Sequence, residues 1–174
     1  MTPDISQDHF SLFGLPPAFA LDAASLEGAY RDLQAKVHPD RHASAGEAEK
    51  RVSMQWSVRV NEAYRTLRDP VQRARYLLEM HGVDAGFETN TAMPPAFLMR
   101  QMELREALEE ARDAAALDAL SQSLRKERLA LEAELAAKID LEHDYAAAGG
   151  VLRELQFLAR FGEDITNAYE ALED

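Results

Sequence analysis

Val37-His38-Pro39-Asp40-Arg41 is the stretch from which the rest of the chain is read. Proline lacks an N–H and biases the residue before it away from the helical region. A helix arriving from the N-terminal side must stop there, leaving an imidazole and a carboxylate on a short, stiff turn. Polar side chains on a loop held between two helices suit a contact site. The alternative is an ordinary helix-ending turn with surface residues, and the tripeptide alone does not separate the two.

The flanks on both sides are helical. Upstream, Leu21-Asp22-Ala23-Ala24-Ser25-Leu26 is a helix start, with Asp22 as cap and Leu21 and Leu26 as a hydrophobic staple. Leu26, Tyr30, Leu33 and Val37 then recur at helical spacing. Arg31 and Lys36 fall off that stripe. Downstream, Glu47 to Arg68 forms a long helix whose core face is Val60, Ala63, Tyr64 and Leu67, with Trp56 extending the stripe inward. Asp69-Pro70 caps a further helix carrying Val71, Ala74, Leu77, Leu78 and His81 on one face, and Gly82 suits its end. The segment Phe10 to Leu15 allows one or two helical turns before Pro16-Pro17.

Gly86, Thr89, Asn90 and Thr91 break the pattern over residues 83–94, a linker between domains 1–82 and 95–174. Beyond it come three helical patterns, roughly 95–112, 116–138 and 144–172, with Ala114-Ala115-Ala116 as the first connection and Asp140 to Asp144 as the second. The middle one repeats Leu117, Leu120, Leu124, Ala130 or Leu131, and Leu135. The last carries Leu155, Leu158, Ala159, Thr166 and Tyr169. Gly149-Gly150 either fray its first turns or admit a close neighbour. Short connections favour an antiparallel three-helix bundle. The expected fold class is all-α.

Composition narrows the function. The 174 residues contain no cysteine, which excludes disulfides, cysteine zinc sites, cysteine-held clusters and a thiol nucleophile. Residues 1–82 hold 10 Lys+Arg against 11 Asp+Glu; residues 83–174 hold 9 against 20. Nucleic-acid binding, which needs a basic surface, is not expected. No membrane-spanning run or signal-peptide pattern is visible, and the expectation is a soluble cytoplasmic protein.

Two features go beyond packing. Around the turn, His38, Asp40, Arg31, Lys36 and Arg41 supply a charged pair among cations, as docking on an acidic protein surface would need. A metal site through His38 and His42, or a small helical enzyme using His38 and Asp40, is the rival. The helix break at Pro39, the missing third ligand and the lack of a pocket speak against both. The second feature is the helix from Pro95. Phe97, Leu104, Leu108 and Ala111 share its core face, whereas Leu98, Met99 and Met102 fall roughly 100° to 200° away. Glu103, Glu106 and Glu110 continue that far side, with Glu109 close by, and Phe157 lies off the stripe of the last helix. Exposed methionines suit an adaptable binding surface; the alternative is that the patch packs against other helices.

The His38-Pro39-Asp40 turn, followed by Val60-Asn61-Glu62-Ala63-Tyr64-Arg65-Thr66-Leu67-Arg68-Asp69-Pro70, resembles the J-domain family over about residues 8–82. Arg73-Ala74-Arg75-Tyr76-Leu77-Leu78-Glu79-Met80-His81-Gly82 and Phe97-Leu98-Met99-Arg100-Gln101-Met102-Glu103-Leu104-Arg105-Glu106 extend the likeness to the HscB family, J-type co-chaperones of iron–sulfur cluster biogenesis. The resemblance implies a J-domain, a helical hairpin with a His-Pro-Asp turn, joined to a three-helix bundle. It implies docking on a DnaK-class ATPase, HscA, through His38, Pro39 and Asp40, helped by Arg31, Lys36 and Arg41. It implies binding of the scaffold IscU through Leu98, Met99, Met102, Glu103, Glu106, Glu110 and Phe157. No enzyme activity, cofactor or metal is implied. A J-type co-chaperone for another client shares the turn and remains a second reading. The helix before the turn is less basic than is common in the family, because Glu27 and Asp32 dilute Arg31 and Lys36. Lack of an N-terminal cysteine module matches the bacterial form.

Overall fold

The computed structural model describes residues 4–38, 40, 44, 46–84 and 93–174. Seven α-helices and one π-helical turn run through them, and there is no strand among the described residues. No helix among them is long and apolar enough to cross a membrane. Two compact units, Met1–Leu77 and Leu78–Asp174, divide within the helix Pro70–Met80.

The first unit begins with α1 (His9–Leu12), capped by the Asp8 carboxylate, which accepts from the Ser11 N–H at 3.0 Å. Gly14 follows in the left-handed region (φ +65°), which costs glycine nothing sterically. Asp22 caps α2 (Ala23–Val37) as the sequence indicates. α3 is Glu47–Arg68, with Val60, Ala63 and Leu67 fully buried. Tyr30 of α2 stacks on Tyr64 of α3 at 4.0 Å, and its hydroxyl donates to Asn61 at 2.6 Å, which registers the hairpin. Asp69 accepts from the Val71 and Gln72 N–H groups and starts α4 (Pro70–Met80), with proline in the first turn where its missing N–H is not needed. Gly82 (φ +71°) follows α4. Arg59 clamps the N-terminal segment. It donates to the Gln7 carbonyl at 2.7 Å and sits 2.6 Å from His9 Nδ1, while the His9 ring stacks on Tyr76 at 4.1 Å.

The second unit packs α5 (Pro95–Glu110), α6 (Ala114–Ala136) and α7 (Tyr145–Glu173) as an antiparallel bundle. Asp113 and Asp144 cap α6 and α7 by accepting from Ala116 N and Ala147 N. The core joins Leu104 of α5 and Leu120 and Leu124 of α6 to Leu158, Phe161 and Ile165 of α7.

Five expectations change. Ala114-Ala115-Ala116, expected as the first connection, instead forms the first turn of α6, because Asp113 caps the helix just before it. Thr166 is exposed, its hydroxyl donating to the Gly162 carbonyl at 3.1 Å; Phe161 and Ile165 take the core seam instead. Gly149 and Gly150 are both helical, and a Cβ at either would meet nothing within 4 Å, so neither fraying nor close approach accounts for them. α6 runs into a π-helical turn, Ala137–Leu141, closed by Glu142 N–H donating to the Ala137 carbonyl at 2.9 Å. That turn takes up the start of the connection expected at Asp140 to Asp144. His81 is exposed and stacks on Tyr145 at 3.9 Å.

Candidate functional site

α2 ends as the proline requires. His38 is extended (φ −60°, ψ 132°), and its N–H makes the last helical bond, to Gln34 at 2.9 Å. Nearly two turns into α3, the buried Ser53 hydroxyl donates to the Val37 carbonyl at 2.5 Å. That bond ties the end of α2 to α3 and fixes the direction in which the turn leaves. The Asp40 N–H donates to His38 Nδ1 at 3.2 Å, so a neutral ring carries its proton on Nε2. The Asp40 carboxylate lies 3.6 Å from the same nitrogen.

The side chains of His38 and Asp40 are 49% and 93% exposed. A carboxylate so fully in water lacks the enclosure that general acid–base chemistry needs, but it is free to meet another macromolecule. Arg31 is exposed and ion-paired with Glu27 one turn before it, and such a surface pair is weak enough to re-form elsewhere. Lys36 is exposed near the end of α2. Pro39 and Arg41, and with them His42 of the metal alternative, lie outside the described residues. Among the described residues no three His, Asp or Glu side chains gather as metal ligands.

A groove adjoins the turn, lined by Lys36, Val37, Ala48, Glu49, Val52, Ser53 and Trp56, with a volume of about 390 Å³. Trp56 is half-buried at its wall rather than sealed in the core. Spacing suggested a core position for Trp56, but the stripe runs out into solvent there, which periodicity does not report. Over an overlapping stretch of α3, exposed Met54 and Val58 line another open groove with Ile5 and Arg51. Their spacing of four, off the core stripe, was the available signal.

On α5, Phe97 and Leu104 point into the bundle, whereas Leu98, Met99 and Met102 are 47%, 63% and 70% exposed. Glu103, Glu106, Glu109 and Glu110 are all exposed. The helical wheel therefore separates core from surface as expected. Arg100 anchors this face: its Nε donates to Glu127 of α6 at 3.2 Å, a second guanidinium nitrogen bonds the same carboxylate, and Nη1 reaches Glu103 at 3.1 Å. The hydrogen bonds to Glu127 raise the Arg100 pKa further and keep it charged. Phe157 needs revision as an off-core residue. It is half-buried, packs against the core cluster, meets Phe97 edge-on at 5.6 Å and lies beneath Arg105 at 5.9 Å. Phe157 therefore supports α5 from within, and only part of its surface is open.

Two family models match the chain, the DnaJ domain over residues 8–76 and the HSCB C-terminal oligomerisation domain over residues 93–166. The chain is 53% identical over 176 residues to a co-chaperone protein HscB homolog of Aromatoleum aromaticum, covering 99% of both. It is 54% identical over 167 residues to the Bordetella petrii homolog, covering 95% of this chain and 98% of that one. Among solved structures it is similar to chaperone HscB from Vibrio cholerae, with TM-score 0.84 and 35% identity, over 95% of this chain and 99% of that one. The human co-chaperone protein HscB matches with TM-score 0.89 and 31% identity, over 95% and 84%.

Proposed function

Because the chain belongs to the HscB family, the J-type co-chaperones of iron–sulfur cluster biogenesis, we infer that it stimulates ATP hydrolysis by a DnaK-class chaperone, HscA, and delivers the scaffold protein IscU to it. The observation that carries this reading is the presence of two unlike exposed surfaces, one on each unit. The first is a polar corner at His38 and Asp40. The second is the apolar Leu98, Met99 and Met102 face running into carboxylates. A chain with two such surfaces is suited to hold a client with one and a machine with the other.

In this account residues 1–82 form the J-domain, 83–94 the linker and 95–174 the scaffold-binding bundle. His38, Pro39 and Asp40 contact the ATPase, with Arg31, Lys36 and Arg41 drawing its acidic surface in. Leu98, Met99 and Met102 supply the apolar contact with the scaffold. Glu103, Glu106 and Glu110 select a basic rim on it, and Phe157 backs the face. The protein turns over no substrate of its own and works in the cytoplasm. Its contribution is tethering, which raises the effective concentration of scaffold at the chaperone.

The test is steady-state ATP hydrolysis by purified HscA with this protein, with IscU, and with both. Stimulation by the pair should exceed the sum of the separate effects. If IscU adds nothing and does not bind the protein in solution, delivery of that client is refuted.

A further inference from the structure

α5 carries the exposed Leu98, Met99 and Met102 face, yet little fixes its rotation. Phe97 and Leu104 are its buried side chains, Leu108 is partly buried, and Pro94 at its N-cap offers no side-chain acceptor to the first turn. Apolar contact is non-directional, so it leaves a helix some freedom to roll about its own axis. Roll matters here, because the methionines lie on the side away from that contact and face outward at one setting. Arg100 supplies the missing direction. It lies one turn from both Phe97 and Leu104, on the flank of α5 that meets α6. Its Nε donates to one oxygen of Glu127 at 3.2 Å and Nη2 bonds the other, so the guanidinium grips α6 as a planar fork. Both side chains are half-buried, where solvent screens an ion pair less than at an open surface. The third nitrogen, Nη1, donates to Glu103 Oε2 at 3.1 Å and leaves Glu103 Oε1 unbonded among the described residues. Glu103 follows Met102 in the chain and lies one turn from Met99. One cation thus ties the neighbouring helix to the carboxylate beside the methionines.

We propose that Arg100 is a positioning residue of the scaffold face: its fork on Glu127 sets the roll of α5, and its remaining nitrogen holds Glu103 with one oxygen open to a cation of the scaffold. The proposal rests on the assignment of this face to the scaffold protein. Charge alone makes the opposite demand. Arg100 stands beside the acidic row of Glu103, Glu106 and Glu110, so as a simple charge it repels a basic partner, and its removal strengthens binding. As a positioning residue its removal weakens binding, because the scaffold must then order both the helix and the carboxylate as it docks. The sign of the effect separates the two roles.

Calorimetric titration of the full-length protein with IscU reads that sign. Arg100→Gln should weaken binding about three- to tenfold, although it leaves the face more negative. Glu127→Gln should weaken it by a similar factor, and the double variant no further than either single one, because the two residues act as one fork. Arg100→Lys keeps the charge but not the fork, and should stay about threefold or more weaker than wild type. Ile165→Val is the control: it loosens the core of the same bundle and should bind as wild type does. Tighter binding by Arg100→Gln, or wild-type affinity for Arg100→Lys, overturns the proposal. So does an Ile165→Val variant that loses as much affinity as Arg100→Gln, since affinity would then follow stability alone. One measurement needs no substitution, so a misfolded variant cannot hide the answer. In the wild-type protein the Arg100 Nε–H proton, followed by nuclear magnetic resonance, should stay protected from solvent exchange when IscU is added. Loss of that protection in the complex overturns the proposal as well. A wild-type protein that does not bind IscU removes the client assignment and this proposal with it, whereas normal wild-type binding with a contrary variant result removes the role of Arg100 alone.

Discussion

Truncating Met102 separates a binding face from a packing face. Full burial of a methionine side chain gains about 1.5–3 kcal/mol. Met102 is 70% exposed in the free protein, so a scaffold that covers it gains about 1–2 kcal/mol at this residue. Met102→Ala should therefore weaken scaffold affinity by about 5- to 30-fold. The same change touches no buried contact, so it should alter folding stability by less than about 0.5 kcal/mol. Phe157→Ala is the contrast. Its ring packs on Phe97 and the core cluster, and half of a phenylalanine cavity costs about 2 kcal/mol of stability. Calorimetric titration of the scaffold and thermal unfolding, run on both variants, read the two effects separately. Unchanged affinity for Met102→Ala, or a melting loss as large as that of Phe157→Ala, would refute the assignment of this face.

Other predictions follow from particular contacts. Burial, and then the charge of Arg59, lower the His9 pKa from its ordinary 6.5; the unfolded chain then binds that proton more readily. The neutral ring's contribution is complete above about pH 6.5 and is lost as pH falls through the lower folded value. The urea midpoint, followed by Trp56 fluorescence, should drop between pH 7.5 and 5.5, and His9→Gln should flatten that dependence; equal slopes would exclude His9. Gly150→Ala should stabilise the protein by about 0.5–1 kcal/mol, because its Cβ enters open space on a helix; a lower melting temperature would contradict this. Ser53→Ala removes the bond to Val37 and should cost about 1 kcal/mol, and it should also reduce chaperone stimulation by loosening the turn. Full stimulation from the destabilised variant would show that the bond serves the fold alone.

Local chemistry was the most legible part of the chain. Asp22 and Asp69 cap where side-chain acceptors precede apolar periodicity, Gly82 takes the left-handed position after α4, and α3 keeps the bounds Glu47–Arg68. Pro39 forces the end of α2 from outside the described residues, and its effect is visible in the extended His38. The α5 wheel separated Leu98, Met99 and Met102 from Phe97 and Leu104, but apolar residues lie on both sides of that helix, and only packing against α6 and α7 decides which side is core. On the 29-residue α7 two adjacent seams fit the same leucines, and only the neighbouring helices choose Ile165 over Thr166. The Arg59 clamp on His9 and the Ser53 bond depend on contacts between residues far apart in the chain, for which sequence spacing carries no signal. Phe157 shows the limit of the wheel: off one stripe, its ring still reaches the core through Phe97.

The most direct measurement is steady-state ATP hydrolysis by the DnaK-class chaperone with wild-type protein and with Asp40→Asn, each checked for scaffold binding. The account predicts stimulation by wild type and none by Asp40→Asn, with scaffold affinity equal in the two. Stimulation by Asp40→Asn at the wild-type level, or none by the wild type itself, would contradict it.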